Sequence, residues 1–284
     1  LFRWKPPLWL QAVLLLFSIT WYHALRGIIN GNAVILIALG ITASLILIEQ
    51  KKEYLAGLIL AFTTIKPHLV VLLIPYILIW SIYHRRWRLM RSFFISLFSM
   101  VGLGLLLIPS WISQNILEIL RYPGYNPAGT LAAALNELLP GLDISFNWII
   151  WLVLSGVLIY EWWAGRNGGY DQFLWVVFLT IGISQWIGIQ TDPGNFIMLF
   201  PALIFILSYL NKRWKGGGLI VAGILLGILW IGLWVLFITT IQHSYQPVQN
   251  PIMFIPLPAF ILVGMYWIKW WVISPARFLW SDGS

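Results

Sequence analysis

The sequence predicts an all-α polytopic membrane protein, and three observations carry that prediction. Hydrophobic residues make up 60% of the 284 residues, charged residues only 9%, and the mean hydropathy is +0.86. Apolar runs approaching twenty residues recur along the chain, the length a helix needs to cross a hydrocarbon core of about 30 Å. The charges fall in short stretches between those runs. They number 17 Lys and Arg against 9 Asp and Glu. In a soluble chain that excess would suggest nucleic acid, whereas here it reports membrane orientation and implies no nucleic-acid partner. Cysteine is absent, which removes disulfides, thiolate metal sites and a cysteine nucleophile.

Taken in order, the apolar segments are Leu8 to Leu25, Asn32 to Ile48, Tyr54 to Ile65, His68 to Tyr83, Ser92 to Ser110, Asn147 to Ala164, Phe173 to Gln190, Phe196 to Leu210, Leu219 to Ile241 and Met253 to Ile273. That gives about ten membrane segments in a single transmembrane domain over residues 1–284. The first is a span rather than a cleavable signal, because no small-residue cleavage site follows it. The chain opens on Leu1 rather than methionine, which suggests the remainder of a longer polypeptide.

Tyr54 to Ile65 is too short to span, reaching about 18 Å at 1.5 Å per residue. Pro67 supplies no N–H and biases Lys66 away from helical backbone, so the helix should stop there and a second arm should leave from His68. The pair reads as a helical hairpin with Lys66 at its tip. An ionisable group at that depth usually faces a cavity, partner or substrate. The alternative is a lysine whose stem snorkels to the headgroups.

If both hairpin arms are counted as crossings, Arg3, Lys5, Lys51, Lys52, Arg85, Arg86, Arg88, Arg91, Arg166, Lys212, Arg213, Lys215 and Arg277 share one side, with Lys269 near it. Arg26, Lys66 and Arg121 fall toward the other. The asymmetry predicts a multi-pass plasma-membrane protein with both termini cytoplasmic. The outer side then carries the long loop over 111–146. Ile112, Ile116, Ile119 and Leu120 repeat there at helical spacing, as a helix lying in the interface would. Pro123, Gly124, Asn126, Pro127 and Gly129 break the chain, and Thr130 to Leu139 makes a second helix with Leu131, Leu135 and Leu138 on one face. Such a loop is a functional cover or simply a lid that packs on the spans.

Tyr22 to Phe93 resembles the central block of the polyprenol-phosphate-dependent mannosyltransferase-like family, glycosyltransferase family 87 of the GT-C class. The residues that carry the resemblance are Gly31-Asn32-Ala33-Val34, Lys51-Lys52, Ala56-Gly57, Lys66-Pro67 and Arg85-Arg86-Trp87-Arg88. It extends more weakly through Asn126, the Thr130 to Leu139 helix and Asp192 to Pro201, covering residues 15–210. Asn32 and Val34 depart from the Gln and Asn of the family pattern. The first outer loop, Arg26 to Asn32, also lacks the carboxylate that GT-C enzymes resemble one another in carrying there. Either the catalytic part lies upstream of Leu1 or the chain is a noncatalytic relative.

The resemblance implies a GT-C-like helical bundle, with glycosyl transfer from a polyprenyl-phosphate sugar to an acceptor at the outer face and no cofactor. Inverting transfer needs a base for the acceptor proton and cations for the charge developing on the lipid phosphate. Lys66 suits the second task. His68 is a further donor or a locally satisfied helix-start histidine. Arg26 and Arg121 offer forks that match phosphate, or serve as an interfacial anchor and a helix-end charge. Asp192, in Thr191-Asp192-Pro193-Gly194-Asn195, is a sugar contact or closes an Asx-turn. Glu118 reads as solvated, Glu137 and Asp143 have no partner by spacing, and no base is assigned. Most tryptophans, including Trp4, Trp80, Trp87, Trp111, Trp162, Trp163, Trp270 and Trp271, fall near span ends as an interfacial belt would. Trp230 and Trp234 lie deeper, against a lipid tail or a neighbouring protein.

Two other functions compete. One is a noncatalytic subunit packed in a larger membrane assembly, using the fold as scaffold. The other is a lipid-linked sugar transporter, which should show related halves; no repeat relates residues 1–140 to 141–284.

Overall fold

The computed structural model describes residues 4–125, 131–139, 147–187, 192–241 and 250–273. All regular structure among them is helical. The helices are α1 (Leu8–Thr20), α2 (Tyr22–Ile29), α3 (Val34–Glu49), α4 (Glu53–Phe62), α5 (Pro67–Val70), α6 (Leu73–Tyr83) and α7 (Trp87–Leu107). They continue as α8 (Trp111–Tyr125), α9 (Leu131–Leu138), α10 (Asn147–Gly165), α11 (Tyr170–Ile187), α12 (Phe200–Trp214), α13 (Gly216–Thr240) and α14 (Pro256–Ile273). Short 3-10 turns cover Thr63–Ile65, Pro193–Leu199 and Pro251–Phe254. Five helices are long and apolar enough to cross a membrane, and six if α1 and α2 count as one bent span. The protein is therefore a helical membrane protein.

The first segment is not one straight helix. It bends by 45° at Trp21, whose backbone is extended (φ −69°, ψ 156°). Ser18 and Thr20 turn their hydroxyls back onto Leu15 and Leu16 carbonyls, a habit that bends helices. The Trp234 indole N–H donates to the Thr20 carbonyl at 3.0 Å, satisfying an acceptor next to the break. Trp234 also meets Tyr22 edge-on at 5.5 Å, and Trp230 meets Phe17 at 6.2 Å. Both indoles thus pack against α1 and α2, and each remains partly exposed. Trp80 leaves the expected belt: it is buried, stacked on Phe173 at 4.0 Å. Trp163 and Trp270 are exposed, as belt residues are.

Helix α11 is buried on every side, which is why its sequence is apolar all round. Helices α6, α10, α12 and α14 pack around it. Helices α7, α10 and α13 keep outer faces of exposed Ile, Leu, Val and Phe, suited to lipid.

Helices α4 and α7 start together. The Arg86 guanidinium lies 3.7 Å from Glu53 and donates to the Ile48 carbonyl at 2.8 Å, while Ser92 Oγ donates to the Tyr54 carbonyl. The chain between Glu53 and Arg86 therefore leaves this end of the molecule and returns to it. Lys51 and Arg85 close helices here with left-handed backbone (φ 58° and 53°), and the next N–H of each reaches back to Leu47 and Ser81. Gly57 lets α4 and α7 approach: a Cβ there would sit 2.4 Å from the Leu89 carbonyl oxygen and 2.8 Å from the Phe93 nitrogen. Gly57→Ala is expected to cost about 1–3 kcal/mol through overpacking against backbone that cannot yield. A lowered unfolding temperature in detergent is the readout, and an unchanged one would show that α4 and α7 separate easily.

The loop over 111–146 contributes two described helices. Asn126, Pro127, Gly129, Thr130 and Asp143 lie outside the described residues, as do the expected side-chain contacts of Ile119 and Leu120. On α8, Ile112 and Ile116 are exposed, and Trp111 packs on Gly104. On α9 Ala132 and Ala134 are buried, Leu131 and Leu135 are half-buried, and Leu138 is 48% exposed. Small side chains win because α9 lies close against the Pro251–Phe254 turn. Asn250 Nδ2 donates to Glu137 Oε1 at 3.2 Å, giving that carboxylate the partner its spacing concealed.

Candidate functional site

A polar cluster forms at the opposite end of the bundle from Lys51 and Arg85, because α3 runs between them with a rise of about 24 Å. Its backbone is set by three local devices. Gly31 takes left-handed backbone (φ 56°), so Asn32 N–H closes onto the Gly27 carbonyl and α3 can begin. Lys66, with φ −115° and ψ 81°, stands between the Thr63–Ile65 turn and Pro67, at the break that proline dictates. Asp192 opens the Pro193–Leu199 turn, its Oδ1 accepting from Gly194 N at 2.7 Å.

These devices bring side chains from distant sequence together. Arg26 Nε donates to Asp192 Oδ1 at 2.8 Å and its terminal nitrogen to Oδ2 at 3.3 Å, a two-pronged pair about a quarter exposed on each side. Lys66 Nζ donates to Asn32 Oδ1, which also accepts from Val34 N at 3.1 Å. Asn32 Nδ2 donates in turn to Asn195 Oδ1 at 3.3 Å. Asp192 is within electrostatic reach of Lys66. Lys66 nevertheless has no carboxylate within 4.0 Å among the described residues; its partner is a neutral amide.

His23 lies fully buried beneath this layer. Its Nδ1 is 2.6 Å from the Pro193 carbonyl, so Nδ1 carries the proton and donates. Among the described residues its Nε2 has no hydrogen-bond partner, nor does the Trp21 indole N–H, whose ring is 5.2 Å away. The Phe196 ring also lies 5.2 Å from the imidazole and meets Phe254 edge-on. A ring held this way braces the turn that carries Asp192 and Asn195.

Of the residues singled out in the sequence, Arg26, Asp192 and Lys66 meet here. His68 is half-buried beside Lys66 and within its electrostatic reach, with no side-chain hydrogen bond among the described residues. Arg121 is exposed on α8 and does not join the cluster among the described residues. Asn32, Asn195 and His23 were not singled out as site residues. His23 carried a usable signal, a histidine inside an apolar run, by the reasoning applied to Lys66.

A second ionic site, unforeseen, ties α10 to α14. Lys269 Nζ lies 2.6 Å from Glu161 Oε1, and Tyr266 donates to the same oxygen at 3.2 Å. The ammonium also lies 5.1 Å from the Trp175 ring. Among the described residues, no group of three His, Asp or Glu is placed to hold a metal ion.

No protein-family model, curated protein or solved structure matches this chain. The resemblance set out above therefore rests on the order of its motifs.

Proposed function

We propose that the cluster around Lys66, Arg26 and Asp192 binds the phosphate of a polyprenyl-phosphate sugar at the outer face of the membrane, in a glycosyltransferase-like protein. The observation that carries this reading is the charge of the cluster. Two cations converge with one carboxylate, and among the described residues the lysine's hydrogen-bond partner is an amide, which an anionic ligand can replace. Lys66 then neutralises charge building on the lipid phosphate, while Arg26 is held in register by Asp192. Asn32 and Asn195 offer amide groups to sugar hydroxyls or phosphate oxygens.

The same geometry favours a second reading, a noncatalytic membrane subunit. Asp192 is engaged by Arg26 on both oxygens and by Gly194 N–H, which leaves it poorly placed to take an acceptor proton. Binding of a polyprenyl-phosphate mannose to purified protein separates the two. Saturable binding supports the donor site, and its absence supports the scaffold.

In this reading the membrane holds about ten segments, with Lys66-Pro67 at the tip of a re-entrant hairpin and both termini in the cytoplasm. Non-helical backbone at such depth is tolerated where protein surrounds it. Helix α8 lies in the outer interface. Single cysteines at the exposed Asn30 and Lys52 test the layout cleanly, since the chain has no native cysteine. Asn30→Cys is expected to label from outside and Lys52→Cys only after permeabilisation. Labelling of both from one side would overturn the orientation.

A further inference from the structure

An apolar groove of about 190 Å³ runs between α12, α13 and α14, walled by Ile206, Leu210, Val221, Phe260, Val263 and Trp267. It opens sideways, where Val263 and Trp267 are exposed. From Ile206 to Trp214 its wall rises about 12 Å, within the depth of one leaflet's hydrocarbon, roughly 15 Å. At Trp214 the groove meets an aromatic collar, since that ring faces Trp267 and Trp271 edge-on, each at 6.1 Å.

Beyond the collar the chemistry changes sign. Helix α12 ends in Lys212-Arg213-Trp214-Lys215, all exposed. Arg213 follows Leu210 by three residues, so it leaves the helix beside the groove, and its guanidinium lies 5.9 Å from the Trp271 ring centroid. Lys212 sits over Tyr209, on the neighbouring face. The sequence of surfaces is thus apolar slot, aromatic collar, fixed positive charge. A phospholipid presents its complement in the same order: acyl chain, interfacial backbone, phosphate. Arginine supplies the planar fork that phosphate prefers, and the neighbouring lysines add attraction for a headgroup of net negative charge.

We propose that this groove holds one acyl chain of an anionic phospholipid whose phosphate is bound by Arg213, with Lys212 and Lys215 adding field. The site rests on the chain being membrane-embedded and is independent of the cluster around Lys66.

Native mass spectrometry of the purified protein, titrated with phosphatidylglycerol or phosphatidylcholine of matched chains, tests it. The wild type is expected to retain one phosphatidylglycerol at least tenfold better than phosphatidylcholine. The triple variant Arg213→Gln, Lys212→Gln and Lys215→Gln should bring the two lipids near parity, because it removes the charge and keeps the slot. Val263→Trp, which fills the slot from its exposed side, should lower retention of both. Inorganic phosphate should not displace the lipid, since it cannot fill the slot. Equal retention of both lipids by the wild type would overturn the proposal, as would a preference that survives both variants. Lys66→Met, at the far end of the molecule, should leave this retention unchanged, which keeps failure here distinct from failure of the outer site.

Discussion

Lys66→Met is expected to lower affinity for a polyprenyl-phosphate sugar by roughly tenfold to more than a hundredfold while leaving the fold intact. The scale is that of one charged hydrogen bond, about 1.5–3 kcal/mol. The fold should survive because Lys66 is only partly buried and its main-chain break is enforced by Pro67, which the substitution leaves in place. What changes is the cluster's charge: with the ammonium gone, Arg26 and Asp192 cancel and leave no net positive charge between them to attract an anion. Lys66→Arg should recover part of the affinity, since it restores charge but places a planar fork where Asn32 meets a compact ammonium. Titration of purified protein with the lipid-linked sugar reads both variants against the wild type. Equal binding by Lys66→Met and wild type would leave Lys66 as a structural anchor tied to Asn32.

Backbone chemistry was legible in the sequence where it is local. The break at Lys66-Pro67 follows from one residue lacking an N–H, and Asp192 opens a turn because aspartate before Pro193-Gly194 commonly does. The bend at Trp21 was not legible, since neither proline nor glycine marks it, and it depends on an indole from α13 to satisfy Thr20. Side-chain partnership was legible only as type. Arg26 and Asp192 stood out singly as a cation and a carboxylate, but the bond between them spans 166 residues. Asn32 drew attention as a departure from a family pattern, whereas its amide is the group that holds Lys66. The belt reading of the tryptophans failed at Trp80 for a related reason. Position near a span end does not tell whether an indole points to lipid or to Phe173.

The same blindness to long-range pairing hid Glu161 and Lys269, and a large loss of stability is expected there. Glu161 sits in an apolar run with its side chain 5% exposed, and its partner is 108 residues away. Glu161→Gln leaves the Lys269 ammonium without its carboxylate among Tyr266 and Trp175. Breaking a fully buried pair costs about 3–5 kcal/mol, because one charge stays uncompensated. Lys269 is 24% exposed and stands four residues, about 6 Å, from the end of α14, so its stem can carry the charge toward water. The expected cost is therefore reduced to about 1–3 kcal/mol, seen as a lower unfolding temperature in detergent. The double variant Glu161→Met with Lys269→Met should recover most of that loss, because an apolar pair of similar size owes no desolvation. If the double variant is as unstable as Glu161→Gln alone, the pair holds α10 to α14 by its specific geometry with Tyr266 rather than by mutual neutralisation. If Glu161→Gln matches the wild type, the ion pair contributes nothing to holding these helices together.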